Sequence, residues 1–264
     1  MQEKKFIADT DNEIKSENQE DKQSKDVQLL LKDLAYGYDK VLLRDINLSI
    51  KKGNKTLIVG TSGCGKSTLF YVLMRLLYPL KGNIFIQGKN YDDLAEKSIR
   101  EHFAVAFQEH HIFNLSIRDN FKMLYENITD EEIYKSLENV YLLDFVKQVG
   151  LDYIVGNDGN KLSGGQKHRL QLAICLAKQK DIILLDEPTA GLDIKTTNNI
   201  CSQLMEKYQK QTMIVTSHDI SLLRFFDDII ICGEEKIIEQ GNIKKLLLRE
   251  DSYLNKLIRY KNFI

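Results

Sequence analysis

The sequence predicts an α/β fold: a mostly parallel sheet with helices on both faces, antiparallel β pieces near the N-terminus and a helical subdomain in the middle. Three observations carry this. From Val27 onward short apolar runs alternate with segments of helical spacing, the pattern that builds a parallel sheet. The first two apolar runs, and a later pair, are joined by turns and not by helices, which suits antiparallel strands. The stretch from about Ile117 to Val149 is largely helical in pattern.

Residues 1 to 26 carry eight acidic and five basic side chains and few apolar ones. They are expected to form a polar, disordered or weakly helical leader. VQLLLKDLAY and RDINLSI are strands, separated by turn residues around Gly37, Asp39 and Lys40. TLIVG is a short buried strand that ends in glycine, and KSTLFYVLMRLLY is a helix closed by Pro79 and Gly82. NIFIQG and FAVAFQ are strands around a helical DDLAEKSIREH. Thr129, followed by Asp130, Glu131 and Glu132, is a helix start with acids in its first turn. SGGQKHRLQLAICLAKQ is a helix, DIILLDE a buried parallel strand, IKTTNNICSQLMEKYQK a helix and TMIVTS a strand. DDIIICGEEKIIEQG reads strand, turn, strand, and one or two helices run on to Ile264.

The 264 residues hold 37 basic and 38 acidic side chains, a net charge of −1. Balance of this kind gives no electrostatic drive toward nucleic acid, and none is expected as a partner. No apolar run approaches the ~18 residues that cross a bilayer, and the first residues lack the apolar segment of a signal peptide. Cys64, Cys175, Cys201 and Cys232 form no CxxC pair or zinc spacing. Three of them sit in apolar runs and read as small core residues; Cys64 lies in a glycine-rich loop. His102, His110, His111 and His168 have no motif around them and are given no role.

Gly60-Thr61-Ser62-Gly63-Cys64-Gly65-Lys66-Ser67-Thr68 fits G-x-x-x-x-G-K-[ST], between a buried strand and a helix. Glycines let the chain turn so that successive N–H groups point at phosphate oxygens, and the helix N-terminus adds favourable dipole charge. In this pattern Lys66 neutralises the β- and γ-phosphates and the Ser67 hydroxyl binds Mg²⁺. IILLDE places Asp186 and Glu187 at the carboxyl end of a strand, where ligands of parallel sheets gather. Asp186 is then a Mg²⁺ ligand, direct or through water, and Glu187 the general base for an attacking water. The chemistry expected is Mg²⁺-dependent nucleotide hydrolysis.

Between these sites stands Leu162-Ser163-Gly164-Gly165-Gln166. LSGGQ, then a helix, then a strand ending in Asp-Glu, resembles the ATP-binding cassette family, over about Val27 to Gln240. The resemblance implies a P-loop NTPase fold of the cassette type. It implies an ATPase domain over 27–245 with a helical subdomain at about 109–178, and a C-terminal helix over 246–264. It implies that Tyr38, with Tyr36 as a neighbouring candidate, stacks on adenine. Gln108, after FAVAF, matches the family's glutamine that bridges Mg²⁺ and a membrane partner. Ala190-Gly191-Leu192-Asp193 matches the loop that crosses the dimer interface, and His218 matches the histidine at the γ-phosphate. Ser163, Gly164, Gly165 and Gln166 would close on the γ-phosphate held by an opposite chain. One copy of each motif then implies a homodimer, or a heterodimer with a second ATPase subunit, that sandwiches two ATP.

Ile112-Phe113-Asn114-Leu115-Ser116-Ile117-Arg118-Asp119-Asn120 and Tyr153-Ile154-Val155-Gly156-Asn157-Asp158-Gly159 resemble exporter segments, with Asn157 in place of the family's glutamate. Thr189-Ala190-Gly191-Leu192-Asp193 is closer to importer wording. The expectation is a peripheral subunit on the inner, cytoplasmic face of the cell membrane, powering export by a polytopic membrane domain encoded on another chain. That domain would dock between Gln108 and about Gly159, with Phe113, Phe121 and Tyr125 as candidate anchors. Two other readings stand beside it: a non-transport cassette ATPase on a ribosome or DNA complex, and a nucleotide-binding regulator that does not hydrolyse ATP.

Overall fold

The computed structural model describes residues 26–108 and 111–261. The expected leader, apart from Asp26, lies outside the described residues, as do His110 and the last three residues of the expected C-terminal helix.

Two sheets form. Strands β1 (Val27–Gly37), β2 (Val41–Lys51), β4 (Lys81–Ile86) and β5 (Lys89–Asn90) make an antiparallel sheet in the order β2-β1-β4-β5. Strands β3 (Lys55–Gly60), β6 (Phe103–Ala106), β7 (Ile182–Asp186), β8 (Thr212–Ser217), β9 (Asp228–Cys232) and β10 (Ile237–Asn242) make the second, in the order β10-β9-β3-β8-β7-β6. Within it β9, β3, β8, β7 and β6 are parallel, and β10 runs antiparallel at the edge. The antiparallel pieces expected at both ends of the sequence are therefore present.

The central strands alternate between two cores, as period-2 side chains must. Leu57, Val59, Ile183, Leu185, Met213 and Val215 face one core, which they share with the helical subdomain. Ile58, Ile182, Leu184, Ile214 and Ile230 face the other, packed on the antiparallel sheet and on α1 (Lys66–Leu73). Both faces are covered, so these strands read as continuous apolar runs.

The helical block resolves into α3 (Ile117–Leu124), α4 (Asp130–Glu138) and α5 (Leu143–Val149), after a short α2 (Glu96–Glu101) and before α6 (Gly164–Leu176). Beyond them lie α7 (Ile194–Lys207), α8 (Ile243–Leu247) and α9 (Tyr253–Lys261). Thr129 starts α4 with a full capping box to Glu132, as expected.

Two elements differ from the sequence reading. The helix expected over KSTLFYVLMRLLY stops at Leu73. Arg75 takes a left-handed conformation (φ 55°), the Arg75 N–H bonds the Val72 carbonyl and the Leu76 N–H bonds the Tyr71 carbonyl. That is a Schellman stop built on arginine in place of glycine. Tertiary contacts hold it there: the Arg75 guanidinium lies over the Tyr78 ring and pairs with Asp92. DDLAEKSIREH is likewise broken, into a 3₁₀ turn at Tyr91–Asp93 and α2, because Leu94 and Ala95 are extended.

Candidate active site

The phosphate loop leaves β3 at Gly60 and enters α1 at Lys66. Gly63 (φ 79°) and Gly65 (φ 98°) hold the left-handed geometry that glycine permits. At Gly65 space matters too, since a Cβ would lie 3.3 Å from the Tyr36 ring. Tyr36 is fully buried, and its hydroxyl donates to the Gly65 carbonyl (3.1 Å). It is a strut under the loop and cannot stack on a base. Tyr38 is 61% exposed, so of the two tyrosines it is the one whose ring is open to solvent. Thr61, Ser62 and Gly63 form the exposed crest, with Ser67 half-buried and Thr68 buried behind them. Lys66 is buried, and its ammonium donates to the carbonyls of Gly60 (2.9 Å) and Thr61 (3.1 Å). The Cys64 thiol is buried and packs into the second core beside Cys232.

Strand register brings the remaining groups to the same sheet edge. Val59 lies opposite Ser217 on β8, and Thr216 lies opposite Asp186 on β7. The Thr216 hydroxyl donates to Asp186 Oδ1 (2.5 Å) and accepts the Glu187 N–H (3.1 Å). One hydroxyl thus orients both acids. Glu187 is buried in a left-handed conformation (φ 50°), a strain on the order of 1–3 kcal/mol that the surrounding bonds must hold. Its Oε2 accepts the His218 N–H (3.3 Å). Its Oε1 lies 3.1 Å from His218 Nε2, within ion-pair range but off the line of a hydrogen bond. The loop, the acid pair and His218, far apart in sequence, are therefore neighbours.

The signature forms a second cluster. Ser163 caps α6 by accepting the Gln166 N–H (3.2 Å), and the Gln166 side-chain oxygen accepts the Ser163 N–H (2.9 Å). A Cβ on Gly164 would touch nothing, and one on Gly165 would reach only Leu192 at 3.7 Å. These glycines leave a bare helix N-terminus. A cavity of about 460 Å³ collects Gly164, Gly165, Gln108, Ala190, Gly191 and Leu192. None of its lining comes from the phosphate loop.

Sequence reasoning missed three residues here. Thr216 was hidden as an ordinary strand threonine. His168 projects from α6, where its Nε2 meets the Pro188 carbonyl and burial lowers its pKa; its place five residues after Ser163 was the only signal. Asp158 bonds Lys167 of α6 (2.6 Å) and so ties the Tyr153–Gly159 segment to the signature helix. The two exporter-like segments are also joined. The Val155 N–H bonds the Leu115 carbonyl (3.1 Å) and the Ile117 N–H bonds the Tyr153 carbonyl (3.0 Å).

Residues 43–190 match the model of the family described as ABC transporter. The chain belongs to the ABC transporter family. It is an ATP-binding and ATP-hydrolysing cassette with the P-loop NTPase fold, and it resembles the cassettes of exporters. Its relatives include the glutathione/L-cysteine transport system ATP-binding/permease protein CydC of Escherichia coli, 34% identical over 86% of this chain and 40% of that protein. The multidrug resistance protein pgp-1 of Caenorhabditis elegans is 36% identical over 81% of this chain and 16% of its own. Among solved structures, a bacterial Atm1-family ABC exporter with ATP bound matches with a TM-score of 0.83 and 29% identity, over 89% of this chain and 42% of that one. The cassette thus spans well under half of these relatives. Among the described residues no helix is long and apolar enough to cross a membrane.

Proposed function

We propose that this cassette is the motor of an exporter. ATP closes two cassettes head to tail, and hydrolysis releases them against a membrane domain that lies outside these 264 residues. The observation that carries the reading is the separation of two complementary half-sites on one molecule. The phosphate loop, Asp186, Glu187 and His218 share one sheet edge, while the bare helix start at Gly164 and Gly165 opens on a different cavity. An anion-binding helix N-terminus with no phosphate loop of its own chain beside it suits a phosphate presented by a second copy or a related subunit.

Within a half-site Tyr38 stacks on the adenine. The loop N–H groups from Gly60 to Thr68 and the Lys66 ammonium hold the phosphates, with Lys66 exchanging its bonds to the Gly60 and Thr61 carbonyls for phosphate oxygens. Ser67 and Asp186 present hard oxygen donors at the loop, and Gln108, which lines the signature cavity, offers a third from that side; such donors would suit Mg²⁺ and not a soft metal. Bound there, Mg²⁺ supplies charge stabilisation to the transferring phosphoryl group. Glu187, already turned inward and held by Thr216 and His218, accepts a proton from the attacking water. Ser163 and Gly164 to Gln166 complete the site from the opposite chain.

The membrane domain docks on the surface formed by the paired segments 112–120 and 153–159. Phe113 and Ile154 are each 52% exposed there. Phe121 is fully buried and Tyr125 is packed against the subdomain core with its hydroxyl on the Cys175 carbonyl, so of the three expected anchors Phe113 remains. A cassette docked in this way sits on the inner, cytoplasmic face of the cell membrane. Relatives named as permease and multidrug resistance proteins favour transport over a ribosomal or DNA-bound ATPase. The test is purification of tagged protein in mild detergent, with intact-mass analysis of what accompanies it. A stoichiometric polytopic protein supports the reading. Co-purification with ribosomes, or with no membrane protein, removes it.

A further inference from the structure

Cys64 and Cys232 are 168 positions apart, yet register places Cys232 opposite Gly60 and folds the phosphate loop back over it. A Cβ added to Gly60 would lie 2.8 Å from the Cys64 Sγ and 3.0 Å from the Cys232 Cβ. Glycine at 60 therefore leaves room for two thiols to meet over it, and they are hydrogen-bonded to each other. All four cysteines are free, and this pair alone has one member in the phosphate loop.

The pair is chemically unequal. The hydrogen bond from Cys232 holds Cys64 down to about 6 against the effect of burial, helped by the nearby Lys66 ammonium. The same bond, with burial, pushes Cys232 well up. The two sulfurs are thus shifted in opposite directions, Cys64 toward the thiolate and Cys232 toward the protonated thiol, the arrangement of an attacking and a resolving cysteine. A cavity of about 440 Å³ lined by Gly60, Thr61, His218, Cys232, Tyr253 and Leu257 opens on the Cys232 side of the pair.

We propose that Cys64 and Cys232 form a reversible thiol–disulfide modification site beneath the phosphate loop, oxidised by hydroperoxides, and that the disulfide form does not bind nucleotide. The Cys64 thiolate attacks one peroxide oxygen. The O–O bond breaks, the departing oxygen takes up a proton and leaves as water or alcohol, and Cys64 becomes a sulfenic acid, oxidised by two electrons. Cys232 sulfur then displaces the hydroxyl from Cys64; the S–O bond breaks, the S–S bond forms, and the hydroxide leaves as water with the Cys232 proton. A small dithiol returns two electrons and two protons and becomes the disulfide itself. A covalent S–S bond is shorter than a thiol hydrogen bond, so it draws the Cys64 segment toward β9. The N–H groups around Cys64 and the Lys66 ammonium then leave the positions that a phosphate needs.

The full chain is treated with hydrogen peroxide, alkylated, digested and mapped by mass spectrometry, and binding of a fluorescent ATP analogue is followed in parallel. The same treatment is applied to Cys232→Ala and Cys232→Ser. The expected result is a linked Cys64–Cys232 peptide, loss of nucleotide binding in the wild type, and recovery with dithiothreitol. Both variants should bind nucleotide and keep binding it at the peroxide dose that links the wild type. The peptide map reads the site independently of whether the chain is an exporter motor. Absence of the linked peptide overturns the site. A linked protein with undiminished nucleotide affinity, or variants that lose binding as the wild type does, overturns its effect on the loop.

Discussion

Lys66 and Glu187 show how two charged side chains within one site do different work. Lys66 is held on the loop's own carbonyls, so it contributes ground-state attraction to phosphate. Lys66→Ala should abolish measurable binding of a fluorescent ATP analogue, and near-normal affinity would contradict the loop assignment. Glu187 is positioned from behind by the β8 hydroxyl and by the backbone of His218. Glu187→Gln should keep ATP affinity and lower turnover by about a hundredfold or more, the scale of a lost general base; unchanged phosphate release would remove Glu187 from the chemistry. The four thiols should also separate by reactivity. Cys64 sits at about 6, whereas burial pushes Cys201 up to about 11 and Cys175 higher still. Iodoacetamide at pH 7 should label Cys64 first. The sign follows from the lowered value: the reactive thiolate is present above about 6 and labelling slows as pH falls through it. A labelling rate that is flat between pH 5 and 8 counts against this.

At the scale of elements, helix ends carry most of the function. The phosphate loop and the signature are both helix N-termini, one starting from a left-handed glycine at 65 and one from a serine cap at 163. Thr129 provides a control, because it caps α4 with the same box but lies in no motif. Thr129→Ala should lower unfolding stability by about 1 kcal/mol without changing ATPase rate. Ser163→Ala should lower stability by a similar ~1 kcal/mol and also lower ATP turnover, since its hydroxyl is assigned to the opposite chain's γ-phosphate. Denaturant titration beside steady-state turnover separates the two; equal effects of both variants on turnover would remove the special role of the signature cap. The Schellman stop at Arg75 illustrates the other end of a helix. Nothing local requires arginine to turn left-handed there; the Tyr78 ring and Asp92 carboxylate give its side chain a place only if it does.

For the whole molecule, the two half-sites predict an ATP-dependent association. Glu187→Gln with ATP and Mg²⁺ should run as a dimer in size exclusion with light scattering and return to monomer when nucleotide is removed. A strictly monomeric species with ATP bound would argue against the head-to-tail sandwich. The docking surface is separable from this. Phe113 is half exposed and belongs to neither the phosphate loop nor the lining of the signature cavity, so Phe113→Ala should leave ATP-driven dimerisation intact while weakening retention of a membrane partner. Phe121→Ala, by contrast, opens a cavity in the subdomain core and should cost about 3–5 kcal/mol.

Much of this was legible in the residue order. The strand and helix alternation, the Thr129 start, the phosphate loop and the Asp186–Glu187 strand end each rest on local spacing, and spacing is set by short-range geometry: period 2 for strands, 3.6 for helices, glycine where the backbone turns. The signature was legible only as a resemblance to the cassette family; that its serine and glutamine cap α6 within four residues is seen in the fold. What it left open needs contacts across many residues. Tyr36 lies near the end of β1 and Tyr38 in the bend just after it, and only packing decides that Tyr36 is the buried strut beneath Gly65 and Tyr38 the exposed ring. Thr216 becomes the support of both acids only when β8 lies beside β7 in one register. Cys64 meets Cys232 because the parallel pairing of β3 with β9 sets Gly60 against that strand's end. Local geometry writes itself into neighbouring residues, whereas register between distant strands is fixed by burial of both faces at once, and that is settled only when the sheet is assembled.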